Sequence, residues 1–257
     1  MNYLPKETLK YMREKTDEPI LAVYLTGSYL NNLNVAGSDL DYYVVTFPPF
    51  EKLIFNRNEK IKQVNGDVDF KVMDLFHFIN LVFKANPNVI ELFYREPLYA
   101  NATYQALGEW LKNNRKELPM LNPSGWEKAC IGLMIHSYQT FKRNKAYQGS
   151  GSDGKEAANF FKAFQYFTYE LNKGSLEGVV TFDDEFLRQS ALEMKSYENV
   201  SDKEREQVAN YMGLQIDSVK LNQGELERMP VPDQLMSNLI KAAKRTYFVG
   251  EQLLEDK

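Results

Sequence analysis

Leu25-Thr26-Gly27-Ser28 is followed, eight residues later, by Gly37-Ser38-Asp39-Leu40-Asp41. The first segment closes the continuous apolar run Ile20–Leu25, which has the length and composition of a buried strand. The second segment opens a similar run, Leu40–Thr46, which ends just before a pair of prolines. Together the two segments predict two strands of a small α/β unit, with a polar loop between them.

The pair Asp39 and Asp41 is the most informative feature of this region. Because side chains alternate across a strand, the two carboxylates are predicted to project from the same face. Like charges at that separation repel each other, and the repulsion is normally tolerated only where a cation or a proton offsets it. The spacing therefore indicates a cation site.

A third acidic segment is Asp67-Val68-Asp69-Phe70-Lys71-Val72, within a predicted strand that runs from Val68 to Met73. Alternation places Asp67, Asp69 and Lys71 on one face. Asp69 is preferred as the third carboxylate because it lies deeper in the apolar alternation, whereas Asp67 follows a glycine as turn residues do. Asp67 stays open as a rival. Lys71 is predicted to contact phosphate or acceptor, and pairing with Asp69 is an equal alternative.

The residue types narrow the metal chemistry. The chain has two histidines, His77 and His136, and one cysteine, Cys130, which lies in an apolar stretch and is predicted to be buried. Carboxylate oxygens without histidine or cysteine suit magnesium or manganese, and two such ions could bridge a triphosphate. In that case the backbone amides of Gly27 and the hydroxyl of Ser28 would approach phosphate oxygens.

The order of an apolar residue, Gly-Ser, a spacer, Asp-x-Asp and a later third acid resembles the DNA polymerase β-like nucleotidyltransferase superfamily. The chain is most similar to bacterial and phage predicted nucleotidyltransferases, in which a leucine-rich helix leads to Asn-Pro and Glu-Leu, here Asn86-Pro87 and Glu91-Leu92. The resemblance is strong over residues 20–97 and weak over 124–175. It implies a palm-like domain in which Asp39, Asp41 and Asp69 are the catalytic and metal-binding residues, with Gly27, Ser28 and Ser38 at the nucleotide. Tyr42-Tyr43 replaces an arginine that is often found there.

In the helical half, Lys155, Asn159 and Lys162 fall where the family tends to place a lysine, a histidine and an arginine. Lys155 and Lys162 are accordingly predicted to contact the nucleotide. The glycine-rich segment Gly149–Lys155 satisfies Gly-x-Gly-x-x-Gly, but a predicted helix precedes it where that motif needs a strand. A loop between helices is the alternative for this segment.

The pattern of apolar residues changes near residue 115, from short runs typical of strands to long periodic segments typical of helices. We predict an α+β nucleotidyltransferase domain with a small mixed sheet over residues 1–115, and an all-α domain over 116–257. In the first domain, helices are predicted over Lys6–Lys15 and from the Asp74 cap to about Ala85. In the second domain, two helices are predicted to begin at capping boxes: one runs from Ser124-x-x-Glu127 to about Ala146, and the other from Ser201-x-x-Glu204 to Gly213. Two more are predicted from Lys155 to Asn172 and from Pro232 to about Leu254.

The composition of the sequence bears on the cellular location and the binding partners of the protein. The N-terminus lacks the pattern of a signal peptide, and no apolar run approaches the ~20 residues of a membrane helix, so a cytoplasmic location and no membrane partner are expected. A net charge of −4 argues against indiscriminate binding to nucleic acid. Lys241, Lys244 and Arg245 form a local basic face, for which a solvated helix surface is the default interpretation and RNA binding the alternative.

The predicted activity is transfer of a nucleoside monophosphate from a triphosphate, ATP being favoured, to an acceptor hydroxyl. The acceptor could be a small alcohol, an RNA 3′ end or a protein side chain. All three are consistent with the predicted chemistry, since a fold does not determine which substrate is used. The alternative is a non-catalytic nucleotide-binding module, regulatory or toxin-antitoxin-like, with the same fold. The retention of three acids argues against it.

Overall fold

The computed structural model describes residues 4–49, 51–52, 61–143, 152–171, 176–196, 201–224 and 232–255. By the density of contacts, the chain divides into a first unit, Met1–Leu121 with Val231–Lys257, and a second unit, Asn122–Pro230. The first unit contains a sheet, and the described residues of the second unit form helices. The predicted α+β class is confirmed.

Within the described residues, five strands form one mixed sheet in the first unit. The strands are β1 (Ile20–Thr26), β2 (Asp41–Thr46), β3 (Lys62–Val64), β4 (Phe70–Asp74) and β5 (Tyr99–Ala100). Their order across the sheet is β3-β4-β2-β1-β5. Strands β2 and β4 are parallel, and each other neighbouring pair is antiparallel. The short edge strands β3 and β5 lie outside the strand predictions made from the sequence.

The helices are numbered along the chain. In the first unit these are α1 (Lys6–Lys15), α2 (Gly27–Leu30), α3 (Leu75–Phe83), α4 (Pro87–Ile90), α5 (Ala102–Asn113) and, after the second unit, α11 (Asp233–Glu255). The second unit contains α6 (Pro123–Arg143), α7 (Ser152–Leu171), α8 (Leu176–Val180), α9 (Glu185–Lys195) and α10 (Asp202–Leu221). Among the described residues of the first unit, the segments Glu91–Tyr94 and Leu118–Leu121 are 3₁₀ turns.

The two faces of the sheet carry different cores. On one face, alternate strand residues pack beneath α1 in a cluster formed by Leu4, Met12, Ile20, Val23, Leu25, Tyr42, Val44 and Phe70. On the other face, the ring of Tyr24 packs against Phe78, Phe93 and Tyr104 at centroid distances of 6.4, 6.1 and 6.4 Å. Burying two sets of large side chains fixes the register, because a slip of one residue would exchange the faces.

Local caps fix where helices begin. The side chain of Asp74 accepts a hydrogen bond from the amide of His77 at 2.7 Å, so the predicted cap of α3 is confirmed. The Ser201–Glu204 capping box of α10 is also present. That helix then continues past Gly213 to Leu221, because one glycine in a helix interior costs only ~1 kcal/mol.

The predicted capping box at Ser124 is wrong. Helix α6 begins at Pro123, and the side chain of Asn122 accepts the hydrogen bond from the amide of Gly125 at 2.8 Å. Glu127, predicted to reach back to the cap, is fully buried and accepts the amide of Gly224 at 2.8 Å. An asparagine two residues upstream therefore satisfies the first turn, which frees Glu127 for a long-range contact.

The last helix differs from its predicted place in the helical domain 116–257, because α11 belongs to the first unit. The ring of Tyr247 stacks on Phe47 with centroids 5.2 Å apart and contacts Phe76 at 5.1 Å. Gly250 lies against the ring of Phe47, where a side chain would collide with the aromatic carbons. The apolar periodicity of α11 predicts that one face is buried, but it does not identify the surface that covers it.

Among the described residues, no helix combines the length and the low polarity that crossing a membrane requires.

Candidate active site

The site begins where β1 ends. Gly27 has a φ of +65°, a left-handed conformation that favours glycine, and the chain turns there into α2. Thr26 is paired with Asp41 across the antiparallel β1–β2 ladder. A β-carbon at position 27 would lie 2.8 Å from Oδ2 of Asp41, closer than a real contact allows. The bare α-carbon of Gly27 therefore forms the surface on which the Asp41 carboxylate lies.

The register of the parallel pair brings a second carboxylate alongside. Tyr42 is paired with Phe70 and Tyr43 with Lys71. Continuing this register by one residue sets Asp69 beside Asp41, on adjacent strands that are typically ~4.8 Å apart. Both residues are exposed at the edge where β2 and β4 begin.

Asp39 lies just ahead of β2, which begins at Asp41 rather than at the predicted Leu40. Its side chain is exposed, as are those of Asp41, Asp67 and Asp69. Strand β4 begins at Phe70 rather than at the predicted Val68, so Asp67 and Asp69 lie in the preceding turn. Oδ1 of Asp69 accepts the amide of Gly66 at 3.1 Å. Asp69 therefore closes the turn while remaining next to β4.

Over the described part of the chain, no group of three or more histidine, cysteine, aspartate or glutamate side chains is close enough to hold a metal ion as the side chains stand. The chemistry of the donors nevertheless fits a hard divalent cation, since Asp39, Asp41 and Asp69 are exposed oxygen donors near one edge. A carboxylate has about four lone-pair directions, so the single hydrogen bond of Asp69 leaves capacity for another partner. The bare Gly27 leaves room on the other side of Asp41.

Ser38 has a structural role in the loop before the acids. Its hydroxyl accepts the amide of Val35 at 2.9 Å, and its own amide donates to the carbonyl of Val35 at 3.0 Å. Gly37, with a φ of +83°, allows this tight turn. Contact between Ser38 and a nucleotide stays a prediction.

Tyr43 and Lys71 form a pair beside Asp41. The Lys71 ammonium lies over the Tyr43 ring, 5.5 Å from its centroid, and the contact of Lys71 with phosphate or acceptor stays a prediction. Tyr43 is buried, and burial, followed by the negative charges of Glu91 and Asp41, raises its pKa to about 12. Tyr43 therefore stays neutral under ordinary conditions and supports a lysine on the same face as Asp41.

Arg95 is a supporting residue that sequence reasoning missed. Its Nε donates to the carbonyl of Leu30 at 2.7 Å, and Nη2 donates to Oδ1 of Asn32 at 2.6 Å. Asn32 itself has a φ of +57°, so the turn after α2 is constrained at two points. The guanidinium thus holds the chain that follows Gly27 and Ser28. No local pattern signals this role, because 63 residues separate Arg95 from Asn32.

Lys155 and Lys162 lie on α7 in the second unit. Lys155 is exposed in the first turn, and the Lys162 ammonium lies 5.7 Å from the centroid of the Tyr166 ring. The glycine-rich loop predicted before them falls partly outside the described residues, at positions 149–151. The part that is described, from Ser152, is helical. Contact of either lysine with a nucleotide stays a prediction.

Cys130 is buried, as predicted.

Comparison with known proteins gives a match to a family model and similar solved structures. Residues 5–96 match the family described as "Nucleotidyltransferase domain". Curated proteins include no match to the chain. The crystal structure of a nucleotidyltransferase-like protein from Exiguobacterium sibiricum 255-15 is similar at 10% identity and a TM-score of 0.30, over 96% of this chain and 78% of that chain. The family match includes Gly27, Ser28 and the three aspartates, and it excludes Lys155 and Lys162.

Proposed function

We propose that the protein, whose residues 5–96 match the family described as "Nucleotidyltransferase domain", transfers a nucleoside monophosphate from a nucleoside triphosphate, ATP foremost, to an acceptor hydroxyl. The observation that carries the proposal is the edge where β2 and β4 begin. There Gly27 lies against the Asp41 carboxylate, and the strand register continues to Asp69.

Asp39, Asp41 and Asp69 would hold the divalent ions, magnesium or manganese, two of which the proposed chemistry requires. When bound, such ions polarise the α-phosphate, make the acceptor oxygen more acidic and offset the charge of the leaving pyrophosphate. Exposed carboxylates are suited to this task, because the ions and the substrate must reach them from solvent. Their mutual repulsion without the ions is reduced by solvent.

The residues of this chain contribute binding and proton transfer. Gly27 and Ser28 offer backbone amides and a hydroxyl to the triphosphate, and Lys71 supplies a positive charge on the same sheet face as Asp41. Ser38 is proposed as a further nucleotide contact. Because Arg95 anchors the turn after Ser28, the phosphate-binding groups are held before the substrate arrives.

The reaction balances as an in-line displacement. The acceptor oxygen forms a new bond to the α-phosphorus, while the bond from that phosphorus to the oxygen bridging the β-phosphate breaks. The acceptor proton passes to the Asp69 carboxylate, and pyrophosphate leaves with the bond electrons. Asp69 is the proposed base because the strand register sets it beside Asp41.

The experiment supplies the protein with each nucleoside triphosphate, labelled in turn at the α- or the γ-phosphate, together with magnesium or manganese and fractionated cell extract. The proposal predicts that α-label enters one of three fractions, RNA, protein or small molecules, while γ-label appears only in pyrophosphate. Transfer of γ-label to an acceptor would identify a kinase instead. Binding without release of pyrophosphate from any fraction would favour a non-catalytic nucleotide-binding module.

A further inference from the structure

One face of the last helix, α11, carries the basic residues Lys241, Lys244 and Arg245 together with Phe248. The three basic side chains are exposed, and Phe248 is 60% exposed. Residues three or four positions apart are neighbours on the surface of a helix. By that spacing Lys241 lies beside Lys244 and Arg245, and both of these lie beside Phe248. We call these four residues the α11 patch.

The opposite face of α11 attaches the helix to the first unit, so the patch takes no part in that packing. Leu235, Leu239 and Tyr247 are buried, and the ring of Tyr247 stacks on Phe47 at 5.2 Å. The buried face is the one that an amphipathic helix would need for insertion into a lipid surface. Protein already covers it, and the patch remains open to solvent.

The aromatic ring lies at the centre of the exposed face rather than at its border. At 3.6 residues per turn, Ile240 and Val249 fall on the two borders of that face, and each is 40% exposed. Phe248 falls between them, among the three cations. The central position exposes the ring to any ligand that the cations attract.

The positive charges of the patch are not paired with acids. Among the described residues, none of the three cations forms an ion pair. The acids Glu251 and Glu51 lie near Tyr247, at one end of the patch, where burial and then their charges raise the pKa of that tyrosine. The three neighbouring cations repel one another, on a chain whose net charge is −4. A local basic surface on an acidic chain indicates an anionic partner.

We propose that the α11 patch binds single-stranded RNA, with backbone phosphates at the three cations and an unpaired base on the ring of Phe248. Phosphate contacts and stacking of bases on aromatic rings are the two interactions by which proteins hold single strands. RNA exposes unpaired bases in loops and at ends, whereas a duplex keeps its bases stacked and away from a protein ring. The patch contains no residue of the candidate active site, so this binding does not depend on the proposed transfer reaction.

The experiment follows the fluorescence anisotropy of a labelled oligouridylate titrated with the full-length protein, at several salt concentrations and without divalent metal. The wild type is expected to bind, with an affinity that falls as the salt concentration rises. The patch variant Lys241→Gln, Lys244→Gln, Arg245→Gln should bind at least about tenfold more weakly. Its slope of log affinity against log salt should be shallower by about two, since each lost phosphate contact removes ~0.7.

A matched control removes the same charge elsewhere. Lys6, Lys84 and Lys203 are exposed and lie apart from one another in the sequence, on or next to three different helices. The triple glutamine variant at these positions should bind the oligonucleotide like the wild type. A loss of affinity equal to that of the patch variant would show that net charge, and not the patch, attracts the RNA.

Phe248→Leu separates stacking from charge. Leucine keeps an apolar side chain but offers no ring, so the affinity should fall about tenfold while the salt slope stays unchanged. Double-stranded RNA should bind the wild type more weakly than the single strand, because its bases cannot reach the ring. An unchanged affinity in Phe248→Leu, or tighter binding of the duplex, would contradict the stacked base.

Two further measurements complete the test. Asp41→Asn should bind the oligonucleotide like the wild type, so a failure of RNA binding and a failure of nucleotide transfer are distinguishable. Thermal unfolding should give equal midpoints for all variants, because the substituted side chains are exposed. Absence of RNA binding by the wild type would overturn the proposal, and binding to vesicles of anionic lipid in its place would assign the patch to a membrane surface.

Discussion

The α-carbon of Gly27 lies against the carboxylate of Asp41, so closely that a β-carbon at position 27 would be 2.8 Å from Oδ2. Gly27 and Asp41 are 14 positions apart along the chain, and the pairing of Thr26 with Asp41 brings them together. The glycine after β1 and the second aspartate of the Asp-x-Asp pattern are therefore parts of one structure. Their spacing in the sequence reflects a direct contact.

Gly27→Ala is expected to impair activity more than stability. The added methyl group must displace the Asp41 carboxylate, and the φ of +65° costs a non-glycine residue about 1 to 2 kcal/mol. We expect nucleotide transfer to fall on the order of a hundredfold, with a modest fall in the unfolding midpoint. Gly132→Ala is the matched control, because a β-carbon there would meet nothing within 4 Å. Equal activities of the two variants would contradict the proposed role of Gly27.

Asp69→Asn and Asp67→Asn distinguish the two rivals for the third carboxylate. Asp69 continues the register beside Asp41, so its loss should lower the turnover rate on the order of a hundredfold to a thousandfold. Asparagine can still accept the amide of Gly66, so the turn should be preserved. Asp67→Asn should change the turnover rate less than threefold, by our estimate for an exposed residue away from the reaction. The reverse order would assign the role to Asp67.

Arg95→Lys tests whether the anchored turn positions the nucleotide. A lysine cannot reproduce the two directed hydrogen bonds to Leu30 and Asn32. The KM for the nucleotide should rise about tenfold, with a smaller change in kcat, because the phosphate-binding turn is less well held. Arg13→Lys is the control, since Arg13 makes one exposed contact of 3.3 Å to Tyr99. An unchanged KM in Arg95→Lys would show that the turn needs no anchor.

Alkaline pH should destabilise the first unit. Burial raises the pKa of Tyr24 and Tyr104 above the usual value of 10.0. The folded protein then retains protons that the unfolded chain releases, so the stability is full below pH 10 and declines as the pH rises above it. Urea unfolding between pH 8 and 11 measures this decline. The Tyr24→Phe, Tyr104→Phe double variant should lose less stability over the interval, and an identical loss would contradict the assignment.

Local signals in the sequence predicted much of the fold. The bounds of α1, the start of β1 and the Asp74 cap depend on neighbouring residues, and each agrees with the structure. The short edge strands β3 and β5 were missed, because two or three residues cannot establish a period of two. The Asp-x-Asp pattern predicted that Asp39 and Asp41 project from one face of a strand, whereas β2 begins at Asp41 and Asp39 lies ahead of it.

Long-range partners could not be predicted. The periodicity of α11 indicates a buried face, but only the fold shows that Tyr247 packs against Phe47 and Phe76. Arg95 is likewise an ordinary arginine in the sequence, and its importance depends on a turn some 60 residues earlier. The electrostatic effect of buried Glu91 on Tyr43 likewise depends on the fold, because the two residues are distant in the sequence.

The central claim is that the edge carrying Asp41 performs nucleotidyl transfer with divalent metal ions. The most direct measurement compares wild type, Asp41→Asn and the exposed control Asp17→Asn for release of pyrophosphate and transfer of α-label, with magnesium and with excess chelator. We predict metal-dependent transfer by wild type and Asp17→Asn, and a loss of at least about a hundredfold in Asp41→Asn, with unchanged thermal unfolding. Transfer by Asp41→Asn at the wild-type rate, or transfer that persists in chelator, would contradict the account.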